Sequence, residues 1–256
     1  MEAPTPPSVG EASPLPTSLI ARLMNVVVTP GEVFDEVKAG KPCYQNWLVP
    51  LVLATLIGAV YVFVVFSQPA VLQGLRETQQ RQFQKQVTAG KMTQQQADKA
   101  AEVTEKFMTP AVMKLFGIVG AVFGNVVWLF LAALGLWLLG KLVFKGGFSY
   151  LQTVEVSGLA MMIAILGAII SMLLVVVTGN MYMTPGPALL IHDYDPANKT
   201  HLLLSSLNVM TLWYVAVLAV GLARLSGVSS AQAGSWLFGI WVLFKLGSVF
   251  LLGGRI

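Results

Sequence analysis

Residues Trp47 to Phe66 read WLVPLVLATLIGAVYVFVVF and contain no charged side chain. A stretch of about twenty apolar residues is long enough, as an α-helix, to cross a hydrocarbon core of ~30 Å. Trp47 stands at its edge, where an indole ring favours the membrane interface, and Pro50 lies in the first turn, where a helix tolerates it. We therefore predict a transmembrane helix over residues 46–67.

Four further apolar stretches follow, and they predict transmembrane helices at about 111–144, 150–178, 202–225 and 231–252. Over the whole chain 55% of residues are hydrophobic and 11% are charged, whereas roughly a quarter of residues are charged in an ordinary soluble domain. A soluble fold of this length cannot bury so much apolar surface, so much of it must face lipid. The sequence predicts an all-α polytopic integral membrane protein with about five transmembrane helices.

Two segments precede the first span. Residues 1–17 are rich in proline and lack the basic and apolar regions of a secretory signal, so we expect a disordered tail. Residues 18–45 are predicted to form interfacial helices, with Arg22 directed toward lipid head groups. Thr29 and Glu32 have the spacing of a capping box around Pro30, which indicates where the second of these helices begins.

Residues 68–110 interrupt the apolar pattern with many Gln, Lys and Glu side chains. A turn at Ala89-Gly90-Lys91 divides them into two helices, and Thr93 with Gln96 forms a second capping box. Glu77 with Arg81, and Glu102 with Lys106, have the i,i+4 spacing of ion pairs on a helix. We predict a water-exposed helical hairpin that is either a solvated connector or a recognition surface.

The charge distribution bears on partners and orientation. The net charge of +4 is modest, and the basic residues flank apolar stretches, a pattern that indicates contact with anionic lipid and not nucleic acid. The single cysteine, Cys43, excludes an internal disulfide and is expected to be a free thiol near the membrane surface. Basic residues in short segments favour a cytoplasmic N-terminus: Arg22, Lys38, Lys41, Lys141, Lys145 and Arg224.

Two ionisable residues, Glu155 and Lys245, lie inside predicted spans, where charge is costly and often functional. Three interpretations stay open for them. Glu155 could reach head-group water while Lys245 extends to the interface, the two could form a structural ion pair, or they could belong to a proton or substrate pathway.

Other polar and small residues inside the spans are candidates for helix packing. Asn125 and Asn208 could hydrogen-bond between helices at about 1 kcal/mol each. Gly120 and Gly124 form a GxxxG pair, which would let a neighbouring helix approach closely.

The sequence contains no recognisable catalytic motif, and we predict no catalytic residues, no cofactor and no metal site. The loop that contains His192, Asp193 and His201 carries metal-capable side chains, but Asp-Pro and Pro-Gly steps already explain it as a set of turns.

Three parts of the chain resemble the Yip (Ypt-interacting protein) family of five-span membrane proteins. They are TPGEVFDEV with NWLVPLVLA (Thr29 to Val37 and Asn46 to Ala54), GGFSY with LQTVEVSGLA (Gly146 to Ala160), and LNVMTLWYVAVLAVGLARLSGVSSAQA (Leu207 to Ala233). The polar hairpin after the first span is similar to the family's bacterial branch. The resemblance implies five spans, location in a bacterial inner membrane and a role as a membrane adaptor, and it supplies no catalytic residues.

Three classes of function therefore remain as hypotheses. The first is a non-catalytic scaffold or adaptor with a protein partner or a second copy of the chain. The second is a transporter, a channel or an accessory subunit of one, which would use Glu155, Lys245 and Asn125. The third is an intramembrane enzyme built on His192, Asp193 and His201.

Overall fold

A computed structural model describes residues 17–192 and 194–251. Five of its helices are long and apolar enough to cross a membrane. They are α3 (Gln45–Val65), α6 (Pro110–Leu142), α7 (Tyr150–Thr178), α9 (Val209–Ser226) and α10 (Ser230–Leu251). The predicted fold class, an all-α polytopic membrane protein with five spans, is confirmed. The predicted tail lies outside the described residues except for Thr17.

Two short helices, α1 (Leu19–Val28) and α2 (Pro30–Ala39), precede the first span and are here called the cap. The cap packs on one end of the bundle, where Phe34 is fully buried. A Cβ atom on Gly221 of α9 would lie 3.2 Å from the Phe34 ring. The opposite face of α1 exposes Ile20, Met24 and Val28. These spacings of four residues place one apolar stripe outward, as expected for a helix at the membrane interface.

The start of α2 differs in detail from its predicted capping box. Thr29 is the N-cap and Pro30 occupies the first turn, but the Thr29 side chain does not cap α2. Its hydroxyl donates instead to the carbonyl of Asn25 in the last turn of α1, at 3.4 Å. The expected pairing with Glu32 is therefore wrong, because the residue is shared between the end of one helix and the start of the next.

The hairpin is formed by α4 (Pro69–Thr88) and α5 (Gln94–Phe107). Gly90 has a φ of 66° in its turn, and the capping box of Thr93 with Gln96 is present. The side chain of Arg81 reaches the backbone carbonyl of Glu77 at 3.4 Å, so the ion pair predicted for these two residues is not formed. Lys106 and Glu102 do pair, at 3.3 Å.

The base of the hairpin contacts the bundle through α4. Val71 is buried against Val65 of α3 and Val175 of α7. Farther along, Lys85 forms an ion pair of 3.0 Å with Asp195 in the loop after α7. The backbone N–H of Ala197, together with the cation of Lys85, holds the pKa of the Asp195 carboxyl below its ordinary value. Because both ion-pair partners are exposed, we expect this contact to add little stability.

The predicted fourth span is corrected by the structure. Residues 202–225 do not form one helix, because α8 (Lys199–Ser206) ends before α9 begins at Val209. Asn208 is the N-cap of α9, and its side chain accepts from the backbone N–H groups of Met210 and Thr211. The backbone N–H of Val209 donates to the carbonyl of Pro185 at 2.9 Å. Asn208 therefore caps the start of α9, and its side-chain oxygen is used in this cap and not in a hydrogen bond to a neighbouring span.

The predicted packing role of Gly120 and Gly124 is also wrong within the chain. A Cβ atom built on either glycine would meet nothing within 4 Å among the described residues. The neighbouring Gly117 faces α3 instead, since its Cβ atom would lie 2.6 Å from Val62. At 33 residues, α6 is roughly 50 Å long at 1.5 Å per residue. It is therefore longer than a bilayer core, as its sequence predicted.

The most extensive contact between two of the described helices joins α3 to α7. A Cβ atom on Gly158 of α7 would lie 2.3 Å from the Cα atom of Trp47, so only glycine permits this approach. The short connections from α6 to α7 and from α9 to α10 make each of these pairs antiparallel. Helices α3 and α7 run in the same direction, because Asn46 near the start of α3 bonds to Glu155 near the start of α7. The cap contacts the end of α9 through Arg224. The cap therefore lies at the starts of α3, α7 and α10, which we call the cap end. The hairpin lies at the other end, which we call the hairpin end.

We expect Gly158→Ala to lower the thermal unfolding temperature in mild detergent. Overpacking against backbone costs about 1–3 kcal/mol, which outweighs the gain of up to about 1 kcal/mol when alanine replaces glycine in a helix. The matched control is Gly124→Ala, where there is open space and the temperature should stay level or rise slightly. Equal effects of the two variants would contradict the proposed crossing.

Candidate functional site

Glu155 lies on the second turn of α7 and is 2% exposed. Its Oε2 atom accepts a hydrogen bond of 2.6 Å from the side-chain amide of Asn46. Its Oε1 atom accepts one of 3.1 Å from the backbone N–H of Cys43. Both carboxylate oxygens therefore have a donor from the segment that opens α3. The interpretation in which Glu155 reaches head-group water is wrong.

Asn46 connects this carboxylate to a cation. It is 1% exposed, and its Oδ1 atom accepts a hydrogen bond of 2.9 Å from Nη1 of Arg22 on α1. An amide can donate to an anion with its NH₂ group and accept from a cation with its oxygen. The Asn46 side chain does both, so a buried negative charge and a positive charge are joined through one neutral group.

Arg22 continues the network toward α2. Its Nε atom donates to the carbonyl of Thr17 at 3.1 Å and lies 4.0 Å from the carboxylate of Glu36. The hydroxyl of Thr17 also bonds to Glu36. Only 18% of the Arg22 side chain is exposed, so the expectation that it faces lipid head groups is wrong. Glu155, Asn46, Arg22 and Glu36 together are here called the four-helix network.

A second group of contacts holds α2 against the ends of α7 and α9. Arg224, in the last turn of α9, forms an ion pair of 3.0 Å with Asp35. Lys38 donates to the backbone carbonyl of Arg224 at 2.7 Å, which satisfies a carbonyl at a helix C-terminus. Gln152 of α7 donates to the carbonyl of Lys38 at 3.2 Å. Phe34, on the same helix as Asp35 and Lys38, is buried in the main apolar cluster.

The chemistry of the four-helix network is that of a structural junction. Both oxygens of Glu155 are already hydrogen-bonded, and the amide of Asn46 is occupied on both sides. A buried charge is tolerated only when it is paired and hydrogen-bonded. Here the hydrogen bonds come from the segment that opens α3, and the positive charge comes from Arg22 of the cap through Asn46. The network therefore couples the position of the cap to that of α3 and α7.

The structure does not bring Glu155 and Lys245 together. Lys245 is the sixteenth residue of α10, roughly 22 Å from its start, whereas Glu155 is roughly 8 Å from the start of α7. The Lys245 ammonium lies 6.0 Å from the centre of the Phe244 ring. In the described part of the chain Lys245 forms no ion pair with Glu155. The structural ion pair between them is therefore not formed.

Asn125 occupies a third, separate position. It lies on α6 and is partly exposed, and a Cβ atom on Gly58 of α3 would be 3.6 Å from its Nδ2 atom. Asn208 caps α9 at the hairpin end. The four intramembrane polar residues singled out from the sequence therefore lie in four different surroundings.

The loop residues considered for metal binding also have structural contacts. The Nδ1 atom of His201 accepts a hydrogen bond of 3.0 Å from the backbone N–H of Asp195, and its ring lies 5.7 Å from that of Tyr194. Asp193 lies outside the described residues. Within 17–192 and 194–251, no three His, Cys, Asp or Glu side chains are grouped to hold a metal ion.

The sequence identified Glu155 but not its partners. Asn46 stands just before an apolar stretch, where an amide is common at the membrane interface and does not indicate a specific contact. Arg22 is one of several basic residues beside apolar stretches, so its position alone does not indicate a partner. The sequence contains one indication of this pair, because Asn46 and Glu155 both lie within two turns of the start of their helices. Their lateral neighbourhood depends on the packing of α3 against α7, which the sequence pattern does not specify.

The fold and this junction define a multi-span membrane protein with an interfacial cap. The Yip1 domain family matches residues 24–252, and the chain belongs to that family. This match confirms the resemblance found in the sequence. The matched segment begins inside α1 and includes the rest of the cap, the hairpin and all five spans.

A bacterial relative is consistent with this assignment. The chain is 27% identical over 231 residues to membrane protein YknW of Bacillus subtilis (strain 168), with 88% of each chain covered. No solved structure matches the chain at a significant level.

We expect Asn46→Ala to loosen the cap, because it removes a donor to the buried Glu155 carboxylate and an acceptor for Arg22. A hydrogen bond to a charged group contributes about 1.5–3 kcal/mol. Hydrogen exchange at the backbone amides of α1 and α2 should therefore become faster, and Asn46→Asp should have a larger effect through repulsion of two carboxylates.

The control for this experiment is Asn125→Ala, which removes an amide from a partly exposed position on α6. It should leave exchange in the cap unchanged. If exchange in α1 and α2 is the same in wild type and in both Asn46 variants, the four-helix network does not hold the cap.

Proposed function

We propose that this protein is a non-catalytic membrane scaffold or adaptor that presents its hairpin to a protein partner. The observation that carries the proposal is the contrast between the two ends of the bundle. At the cap end the polar side chains bond to one another, and Phe34 is buried in the main apolar cluster. At the hairpin end a polar helical pair projects from the bundle and exposes its outer helix.

The outer helix α5 has the features of a contact surface. Its main neighbour is α4, and it exposes 55% of Val103 and 60% of Phe107. These two residues are four positions apart, so they lie on one face of the helix. An exposed apolar pair in a polar helix suits the centre of a protein interface, where a large apolar side chain fills a pocket on the partner.

The alternative of a transporter, a channel or a subunit of one has less support. That function would favour a shared polar pathway for Glu155, Lys245 and Asn125. Glu155 is engaged at the cap end, while Lys245 lies beside Phe244 on α10. An enzyme built on His192 and His201 has less support still, because the ring nitrogen Nδ1 of His201 already accepts a backbone hydrogen bond.

The same proposal places the cap on the cytoplasmic side of a bacterial inner membrane. The supporting observation is that basic residues of short segments gather at the cap end, where Lys38 and Arg224 contact each other. An odd number of spans then puts the hairpin and the end of α10 on the opposite side. A partner of the hairpin would therefore be extracytoplasmic or would cross the membrane.

A photocrosslinking amino acid at Val103 or Phe107 tests the partner surface. We expect each position to give one discrete adduct in native membranes, because both side chains project from the same face. A crosslinker at the exposed Gln82 of α4 serves as the control and should not give this adduct. An adduct of twice the mass of the chain would identify the partner as a second copy.

The proposed contact would be contradicted if correctly inserted protein gave no discrete adduct at either position. It would also be contradicted if Val103→Glu left the adduct formed through Phe107 at full yield, since a charge in the centre of an apolar contact should lower it.

Membrane-impermeant maleimide tests the orientation with the protein's own thiol. Cys43 lies between α2 and α3 at the cap end, so intact spheroplasts should leave it unlabelled until they are lysed. In a Cys43→Ser background, Lys91→Cys in the turn of the hairpin should label without lysis. The reverse pattern would place the cap outside the cell.

A further inference from the structure

A cleft of about 640 Å³ opens between α3, α6, α7 and α9 in the half of the bundle nearer the hairpin end. Small residues on the facing helices line it, among them Gly58 on α3, Gly117 on α6 and Ala168 on α7. Because such side chains occupy little volume, the helices cannot fill the space between them. Its volume is in the range of pockets that hold small molecules, about 300–1,000 Å³.

The cleft reaches the lipid-facing surface of the protein. Two of its lining residues, Trp128 and Ala164, are themselves exposed on the outside of the bundle, and 53% of the Trp128 side chain is accessible. In a membrane these exposed positions face acyl chains. A molecule dissolved in the bilayer could therefore enter sideways, without passing through water.

The lining excludes a charged ligand. None of the residues that line the cleft is Asp, Glu, Lys, Arg or His. A phosphate or an ammonium group placed there would lose its hydration and meet no opposite charge, which is strongly unfavourable in a medium of low dielectric. The chemistry of the walls favours an uncharged molecule with a long apolar part.

Two hydroxyl groups give the cleft a polar point. The side-chain oxygens of Tyr214 and Thr184 are both buried and have no hydrogen-bond partner among the described residues. Tyr214 is 7% exposed, and its hydroxyl lies in the neighbourhood of the Trp128 indole without normal hydrogen-bond geometry. Buried polar groups almost always have a partner, so these two hydroxyls indicate a ligand with a hydrogen-bonding group.

We propose that the cleft binds a neutral glycerolipid from the bilayer. One acyl chain lies along the wall formed by Gly58, Gly117 and Ala168. The uncharged head, a glycerol hydroxyl or an ester carbonyl, bonds to Tyr214 and Thr184. Binding is independent of the cap, because no residue of α1 or α2 lines the cleft. The proposal therefore does not rest on the scaffold function or on the identity of a protein partner.

Photoaffinity labelling in vesicles of phosphatidylethanolamine and phosphatidylglycerol tests this site. The probe is a photoreactive diacylglycerol, compared with photoreactive phosphatidic acid, which has the same chains and a charged head. We expect the neutral probe to label peptides of α7 and α9 that line the cleft, and the charged probe to label them at least fivefold less.

Two variants with matched controls complete the design. Ala168→Leu fills the cleft and should reduce labelling by the neutral probe at least fivefold. Its control is Ala111→Leu, at an exposed position on α6. Tyr214→Phe removes one hydrogen bond and should reduce labelling about twofold to tenfold, whereas Tyr44→Phe, at a residue 63% exposed, should not.

The outcomes separate the proposal from ordinary contact with surrounding lipid. Equal labelling of wild type and Ala168→Leu, with both proteins retaining the same elution volume, would overturn it. Labelling confined to the exposed face of α6, or equal labelling by the two probes, would also overturn it. A loss in Ala168→Leu without any loss in Tyr214→Phe would remove the assigned role of the hydroxyls and overturn the neutral-head assignment.

Discussion

A buried carboxylate on α7 imposes the main constraint on the cap end of this protein. Transferring the charged carboxylate of Glu155 from water into the protein interior costs free energy unless hydrogen-bond donors surround it. Those donors come from the segment that opens α3, and one of them, Asn46, is itself held by Arg22 of α1. Helices α1 and α3 must therefore take defined positions on α7 for the carboxylate to be satisfied, and Arg22 brings α2 into the same network through Glu36.

Apolar packing alone would position the cap less uniquely. Phe34, Val33 and Val37 are buried on α2, but apolar contacts are not directional and permit neighbouring registers. Hydrogen bonds of 2.6 Å and 2.9 Å through a single amide permit far less displacement. The apolar side chains therefore supply most of the attraction, while the four-helix network selects one arrangement. Gly158 also restricts the arrangement of the helices, because α3 can approach α7 this closely only where a Cβ atom is missing.

Hydropathy predicted the fold well, because the length of a membrane span is set by the bilayer and can be read from one stretch of residues. Four of the five spans lie within about two residues of their predicted bounds. The predicted bounds of the fourth span are wrong. The apolar residues around Asn208 predict one continuous helix, whereas the Asn208 side chain caps the start of α9. The partners of Glu155 and the empty surroundings of Gly120 depend on which helices are neighbours. Periodicity within one helix does not carry that information.

The two ends of the bundle differ in the contacts that their polar and apolar side chains make. At the cap end Asp35, Glu36 and Lys38 of α2 each bond to a residue of another helix. At the hairpin end, two buried hydroxyls have no partner among the described residues, and α5 exposes Val103 and Phe107. A polar group without a partner and an apolar group without cover are both unfavourable in isolation. Hydroxyls without a partner in the described part of the chain also occur nearer the cap end, at Ser157 and Ser226, and α1 exposes Ile20, Met24 and Val28. What distinguishes the hairpin end is that its two hydroxyls line an open cleft and that a polar helical pair carries its exposed apolar residues. In the proposed function, the hydrogen bonds of the four-helix network would hold the cap in one position while the hairpin end contacts lipid or a protein partner.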